Sequence, residues 1–281
     1  MGRAAGYDYV AIGHVTIDRL EGGVAQVGGT AAYSGIQAAR LGQRTLIVTR
    51  GERAVVERLL EPFAGELDVW VQDSERTTTL QTRQSGTGRS QRMVAWAGTI
   101  DPVDVGDSSL VHLAPVAREV GAGAAGSPDC FVGITPQGMV RRWDADGRIG
   151  LATMPVAALP SPCSALVISE AELAACGEAL AVAVKRGAVG AITHGERPAE
   201  IRTAERSFAA PAPAVAAVDE LGAGDVFAAA LFVSLAAGEP PDRAAAFAQA
   251  AASLRVAGRG PGAIGDAASI AGSLEGASGR R

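Results

Sequence analysis

The stretch VDELGAGDVFAAALFVSLAAG, residues 218–238, joins a glycine-rich turn to the mouth of an apolar helix. Gly222, Ala223 and Gly224 carry little or no side chain, so their backbone N–H groups can come close to a ligand. The helix that follows adds unpaired N–H groups of its own and the positive end of its dipole. Together these predict a seat for an anion, phosphate above all. Asp225 at this mouth has two readings. One is an ordinary helix N-cap. The other is a general base. A carboxylate repels a bound anion, but it is useful beside one if it takes the proton of a hydroxyl that is about to attack a phosphoryl group.

Other chemistries find little support. There is no G-x-x-x-x-G-K-[ST] motif, which excludes a P-loop, and only Gly13 follows the first strand where a dinucleotide fingerprint needs three spaced glycines. Cys130, Cys163 and Cys176 are irregularly spaced, without a C-x-x-C pair, so buried free thiols are expected rather than zinc or disulfides. His14, His112 and His194 lack metal-ligand spacing and read as strand-end residues. A formal net charge of −5 over 281 residues argues against a nucleic-acid partner. With 48% hydrophobic and 20% charged residues, the chain can bury a sizeable core. No window long enough to span a membrane is free of Gly, Pro and charge. No long apolar run precedes a cleavage site near Met1. The expectation is a cytoplasmic chain.

The elements that would hold the anion seat follow a strand–helix rhythm. DYVAIGHVTID (residues 8–18) predicts one buried strand with Asp18 at its far end as a turn residue. In AQVGGTAAYSGIQAARLG, Gly28 and Gly29 bend the chain, Thr30 caps a helix and Gly42 closes it. TLIVTRG is a second strand and ERAVVERLLEPFA an amphipathic helix. This alternation implies a parallel sheet with right-handed crossovers. Residues 67–98 break the rhythm. LDVWVQ, TTTLQTRQ and SQRMVAWAG alternate apolar and polar positions, with Gly86 and Gly88 in one of the turns. They predict antiparallel strands of either a flap or an edge hairpin. SLVHLAPV is then a strand, AREV a short helix, CFVGITPQG a strand, and MVRRWDADGRIG an exposed excursion turning at DADG. Ser169 and Glu172 form a capping box in ALVISEAELAAC. AVGAITHG is a strand that stops at Gly195, and RSFAAPAPAVAAV crosses the surface. PDRAAAFAQAAASLRVAG is a helix in which Arg255, like Arg259 beyond it, reads as surface charge.

GGTAAYSGIQAARLG and DELGAGDVFAAALFVSLAAG resemble the two signature regions of the ribokinase-like carbohydrate kinases, the PfkB family. HLAPV, FVGITPQGMVR, ISEAEL, ITHG and GRGPGAIG fall in that family's order, so the resemblance covers nearly the whole chain. It implies a single three-layer α/β/α domain over residues 1–281, with a central, mostly parallel sheet and a small β lid supplied in part by about residues 67–98. It also implies ATP-dependent phosphorylation, with Mg²⁺, of a hydroxyl on a sugar-like or nucleoside-like molecule.

Carried over by position, Asp225 matches the family's catalytic base, and Gly222, Ala223 and Gly224 match its anion hole. Asp18 matches an acid that binds substrate hydroxyls. Gly28 and Gly29, with Thr30 beside them, match the substrate-pocket glycines. Glu172, next to Ser169, matches an acid that positions Mg²⁺ through water, and Thr193 and Gly195 match a nucleotide-side turn. FVGITPQGMVRRWDADG resembles a segment of a subgroup with inositol kinases. This implies myo-inositol or another cyclitol, with Gln137 and Arg141 near it. The chain departs from the family at Ser169, where Asn is usual, and at Pro198, where a second glycine is common. Alternatives are a nucleoside or sugar-phosphate kinase, with Arg83, Arg89 and Arg92 of the lid available to a phosphate, and a ligand-binding relative without chemistry. Lid strands with apolar faces suggest a homodimer.

Overall fold

In the computed structural model, which describes residues 6–85, 88–121 and 129–278, the first apolar run is two strands rather than one. These are β1 (Tyr9–Ile12) and β2 (Thr16–Arg19). Between them Gly13 passes so close to Ala114 that a Cβ would lie 2.0 Å from its carbonyl oxygen, and there the chain leaves one sheet for another. β3 (Ala25–Gly28) leads into α1 (Thr30–Arg40). The cap of α1 is Gly29 at φ 95°, so Thr30 is the first helical residue and not the cap. Only glycine suits that position, because the left-handed backbone is strained for other residues and a Cβ would meet the His14 carbonyl oxygen at 2.2 Å.

β4 (Thr45–Gly51), α2 (Arg53–Leu60) and β5 (Asp68–Asp73) follow. β5 runs parallel to β4, against the antiparallel expectation for that part of residues 67–98. An edge strand of the main sheet with one wetted face alternates in the same way as a flap strand does. β6 (Thr79–Ser85) and β7 (Gly88–Ala95) are antiparallel, and the expected turn residue Gly86 lies outside the described residues.

β8 (Leu110–Leu113) and β9 (Phe131–Ile134) return to the main sheet. AREV after β8 is not helical. Arg118 has φ 64°, and the buried Glu119 carboxylate accepts the backbone N–H groups of His14, Val116 and Ala117 at 2.9, 2.7 and 2.6 Å. These bonds replace the ones a helix would have made. The expected excursion is a short α3 (Gln137–Val140) and a hairpin of β10 (Arg141–Trp143) and β11 (Ile149–Leu151), turning at DADG with Gly147 at φ 79°. The chain closes with β12 (Ala165–Ser169), α4 (Leu173–Lys185), β13 (Val189–His194), β14 (Arg197–Arg202), β15 (Ser207–Ala210), α5 (Ala223–Ala236), α6 (Pro241–Val256) and α7 (Ala267–Ser278).

The main sheet has nine strands in the order β15-β14-β13-β12-β9-β8-β1-β4-β5. β13 through β5 in that order are parallel to one another, and β14 and β15 are antiparallel additions. β1 is wholly buried because helices cover both faces. Tyr9 and Ala11 join the core beneath α1, α2, α5, α6 and α7, while Val10 and Ile12 join the core beneath α4. This is the three-layer α/β/α architecture. Strand order reverses at β1, and such a switch point opens a crevice at the carboxyl ends of the strands. A second sheet, β3-β2-β6-β7, stands beside that crevice.

His194 ends β13 as expected, but His112 lies inside β8. His112 is fully buried between the Tyr9 hydroxyl at 2.6 Å and the Thr135 hydroxyl at 2.9 Å, and burial pushes its pKa down to about 3. The three cysteines are free; Cys130 and Cys176 are buried and Cys163 half-buried.

α5 owes its position to glycine on the strand beneath it. A Cβ on Gly133 of β9 would lie 2.3 Å from the Phe232 ring. Gly133→Ala should therefore overpack the α5 interface and cost about 1–3 kcal/mol, read as a lower midpoint of urea unfolding with an unchanged slope.

Candidate active site

The carboxyl ends of β1, β8, β9, β12 and β13, the mouth of α5 and the second sheet enclose one cavity of about 1690 Å³. A pocket for one small ligand is usually about 300–1,000 Å³, so two molecules fit here side by side.

At one end stands Asp18. It lies in the middle of the β2–β3 pairing rather than at a turn, and it is 3% exposed. The Thr16 hydroxyl donates to its Oδ1 at 2.7 Å. Gly28 does not line the cavity; a Cβ there would sit 2.3 Å from the Asp18 carboxyl carbon, so its missing side chain makes room for that group. Gly29, Thr30, Gln137 and Arg141 line the same end. Arg141 is buried, donating to the Val116 carbonyl at 3.0 Å and to Gln91 Oε1 at 2.7 Å. Arg83, Arg92 and Arg148 complete the rim, and the Arg89 side chain lies outside the described residues.

In the middle is the turn into α5. Gly222 is the N-cap at φ 78°, and Asp225, the third helical residue, makes no capping bond, so the N-cap reading of Asp225 does not hold. The Ala223 N–H is engaged by the Glu220 carbonyl at 3.3 Å. Among the described residues, no acceptor takes the N–H groups of Gly222, Gly224 or Asp225. The seat therefore offers those three amides and not that of Ala223. Burial pushes the Asp225 pKa up to about 6. A hydrogen bond with Thr30 and the charge of Arg141 oppose that rise, and the charges of Glu172 and Asp18 add to it. An acid poised near neutral pH, beside backbone amides without acceptors, has the protonation behaviour that a general base needs.

The far end is built by the end of β12 and the start of α4. The expected capping box is present: Glu172 Oε2 accepts the Ser169 N–H at 2.8 Å and its hydroxyl at 2.9 Å. Glu172 Oε1 is buried without a partner on the cavity wall. A carboxylate oxygen left unsatisfied there fits a hydrated divalent cation. The Thr193 hydroxyl donates to the Ile168 carbonyl at 3.4 Å, and Gly195 bends the chain at φ 66°. Ala212, Pro213, Ala214 and Val215, with Ala252 and Val256 of α6, form an apolar wall at this end. The segment expected to cross the surface is this wall.

Arg255, read as surface charge, is fully buried against Asp219, whereas Arg259 is exposed as expected. A signal was present, since Ala244, Ala248, Ala251 and Arg255 step along one buried face of α6 at helical spacing.

Residues 154–267 match the pfkB family carbohydrate kinase model. No curated protein matches the chain by sequence. Among solved structures, a pyrophosphate-dependent kinase in the ribokinase family, complexed with a pyrophosphate analog and myo-inositol, superposes with a TM-score of 0.74 at 19% identity over 90% of this chain and 96% of its own. Arabidopsis thaliana ribokinase complexed with ribose and ATP gives 0.71 at 20% identity over 96% and 99%. Burkholderia thailandensis nucleoside kinase in complex with inosine gives 0.74 at 16% over 97% and 99%. The chain has the ribokinase-like fold. No helix among the described residues is long and apolar enough to cross a membrane.

The two glycines of the seat are required for different reasons. A Cβ on Gly222 would strike the Tyr33 ring at 2.1 Å in a left-handed backbone, whereas a Cβ on Gly224 meets nothing within 4 Å. Gly222→Ala should therefore lower the melting temperature. Gly224→Ala should leave folding intact, or add up to about 1 kcal/mol of helix stability, and still raise the KM for the phosphoryl donor. Melting curves and donor titrations of the two variants check this contrast.

Proposed function

We propose that the chain transfers the terminal phosphoryl group of ATP to a hydroxyl of a sugar or cyclitol, myo-inositol or a near relative. The observation that supports this best is the carboxylate of Asp225, raised to about 6, beside three backbone amides without acceptors. Asp18, Gly29, Thr30, Gln137 and Arg141 hold the acceptor, with Asp18 accepting hydrogen bonds from its hydroxyls. Gly28 keeps the space in which Asp18 stands. Ser169, Glu172, Thr193 and Gly195 belong to the donor end, where the apolar wall suits an adenine ring.

Asp225 takes the proton of the attacking hydroxyl as its oxygen bonds to phosphorus, and the bond from phosphorus to the bridging oxygen breaks, releasing ADP. The amides of Gly222, Gly224 and Asp225 receive the negative oxygens of the transferred group, and this fixed electrostatic support is the larger contribution to rate. Glu172 Oε1 would hold Mg²⁺ through water, and the ion would supply charge neutralisation at the donor's phosphates. The second sheet lies over the acceptor end and keeps water from competing for the phosphoryl group. The exposed Val94 of that sheet, and Val24 just before β3, support pairing of two copies through it.

A second reading is favoured by Arg83, Arg92 and Arg148 on the rim. Three guanidinium groups at the acceptor end suit an acceptor that already carries a phosphate. The donor has an alternative too, since pyrophosphate serves a protein of similar fold.

Product formation across neutral cyclitols, sugars, nucleosides and sugar phosphates, with ATP or pyrophosphate as donor, tests these assignments. Transfer from ATP to a neutral cyclitol or sugar is the expected result. Pyrophosphate as the sole effective donor would overturn ATP and leave phosphoryl transfer standing; no transfer with any pair would overturn the proposal.

Because the base must be unprotonated, kcat/KM should fall as pH drops through about 6. Asp225→Asn should remove most turnover and leave donor affinity near that of the parent. It should also stabilise the fold at pH 7.5, by an amount on the order of 1–3 kcal/mol, because a buried charge is lost. The native pKa lies above the unfolded value, so that gain should shrink as pH falls from about 6 towards about 4. Asp18→Ala should raise the acceptor KM with little effect on the donor KM.

A further inference from the structure

Arg255, near the end of α6, has no solvent exposure. Its Nη1 donates to the backbone carbonyls of Asp219 at 3.2 Å and Gly258 at 3.0 Å, and its Nη2 donates to Asp219 Oδ2 at 2.8 Å. The guanidinium carbon lies 5.3 Å from the centre of the Tyr33 ring, the same ring that leaves no room for a side chain on Gly222. Asp219 in turn takes the Leu221 N–H on Oδ1 at 3.0 Å and the Gly260 N–H on Oδ2 at 2.9 Å. Burial pushes the Asp219 carboxyl up, but the bonds from Arg255, Gly260 and Leu221 outweigh it and hold the group below its usual range. The counter-charge of this carboxylate is internal to the fold.

A buried guanidinium needs a reason, because desolvating it is costly unless its bonds are well made. Here those bonds join two loops, residues 219–222 before α5 and residues 258–260 after α6. Neither loop is held by a sheet. Glu220, Leu221 and Gly222 line the cavity, and Arg255 does not. We propose that Arg255 is a positioning residue for phosphoryl transfer: as a built-in cation it neutralises Asp219 and two carbonyl oxygens, and so fixes the loop whose amides receive the transferred group. This rests on the kinase reading of the same site. It differs from that reading in assigning a rate effect to a side chain that touches neither substrate.

The test uses the full chain with Arg255→Ala, Arg255→Lys and Asp219→Asn. A misplacement of about 1 Å in such a seat costs on the order of 100-fold in rate, so Arg255→Ala should lose about that much kcat while the acceptor KM stays within about threefold. Adding guanidinium ion at low, non-denaturing concentration, against sodium chloride of equal ionic strength, should restore part of the lost kcat in Arg255→Ala and none in the parent. Arg255→Lys, which keeps the charge but not the fork, should fall between the two. Amide exchange at residues 219–226 should quicken in Arg255→Ala while exchange in β1 and β8 is unchanged. This measurement needs no activity, so it stands even if the chain proves not to be a kinase. Should Arg255→Ala not fold, Asp219→Asn takes its place with the same drop in kcat expected, and Arg255→Lys with a smaller one, both at constant acceptor KM. Parental kcat in the folded variants, a loss that guanidinium does not relieve in Arg255→Ala, or unchanged exchange at residues 219–226 would each overturn the proposal.

Discussion

Where α1 meets α5, the backbone of Gly222 lies directly against the face of Tyr33, with less than a carbon atom's space between them. That approach is possible only for a residue without a side chain and with a left-handed backbone, and Gly222 at φ 78° is both. It sets how the chain enters α5, and through that it sets where three unpaired amides and Asp225 stand relative to the cavity. Helix α1 is fixed in the same way at its own start, by Gly29 against the His14 carbonyl. The site is therefore referenced at two glycine contacts to the same helix and to the strand end at the centre of the sheet.

Around this frame the charges are arranged with little slack. Asp18, Glu172 and Asp225 face one cavity, and Arg141 is the buried cation among them. Glu172 and Asp18 raise the proton affinity of Asp225, and Arg141 lowers it. Asp18 has a donor in Thr16, and Glu172 has two in Ser169. Asp225, with burial dominating, is the one pushed towards neutrality.

Much of this was legible in the sequence, where a residue type has few other uses. Glycines and an acid at a helix mouth announced the seat, and serine with a glutamate three residues on announced the capping box. What was not legible depended on long-range contacts. Nothing local in DYVAIGHVTID reveals that Gly13 must pass beneath Ala114, which splits one apolar run between two sheets. Nothing in AREV reveals that Glu119 takes backbone amides from residues far apart in the chain. LDVWVQ alternates because it borders the main sheet, a pattern a flap strand would share. Arg255 was misread because arginine is so often exposed that residue type outweighed its place on the alanine face of α6.

The segment that forms the apolar wall is tied to α6 at two points, Gln249 to the Ala210 carbonyl at 2.9 Å and Ser253 to that of Pro213 at 3.1 Å. Arg255, one turn further on, holds the loop before α5. A single helix thus carries both the wall and the seat as one block, braced against the body of the molecule. The second sheet is tied down separately, by Arg141 on Gln91 Oε1 of β7 at 2.7 Å and by the Trp96 ring N–H on the Ala117 carbonyl at 2.7 Å.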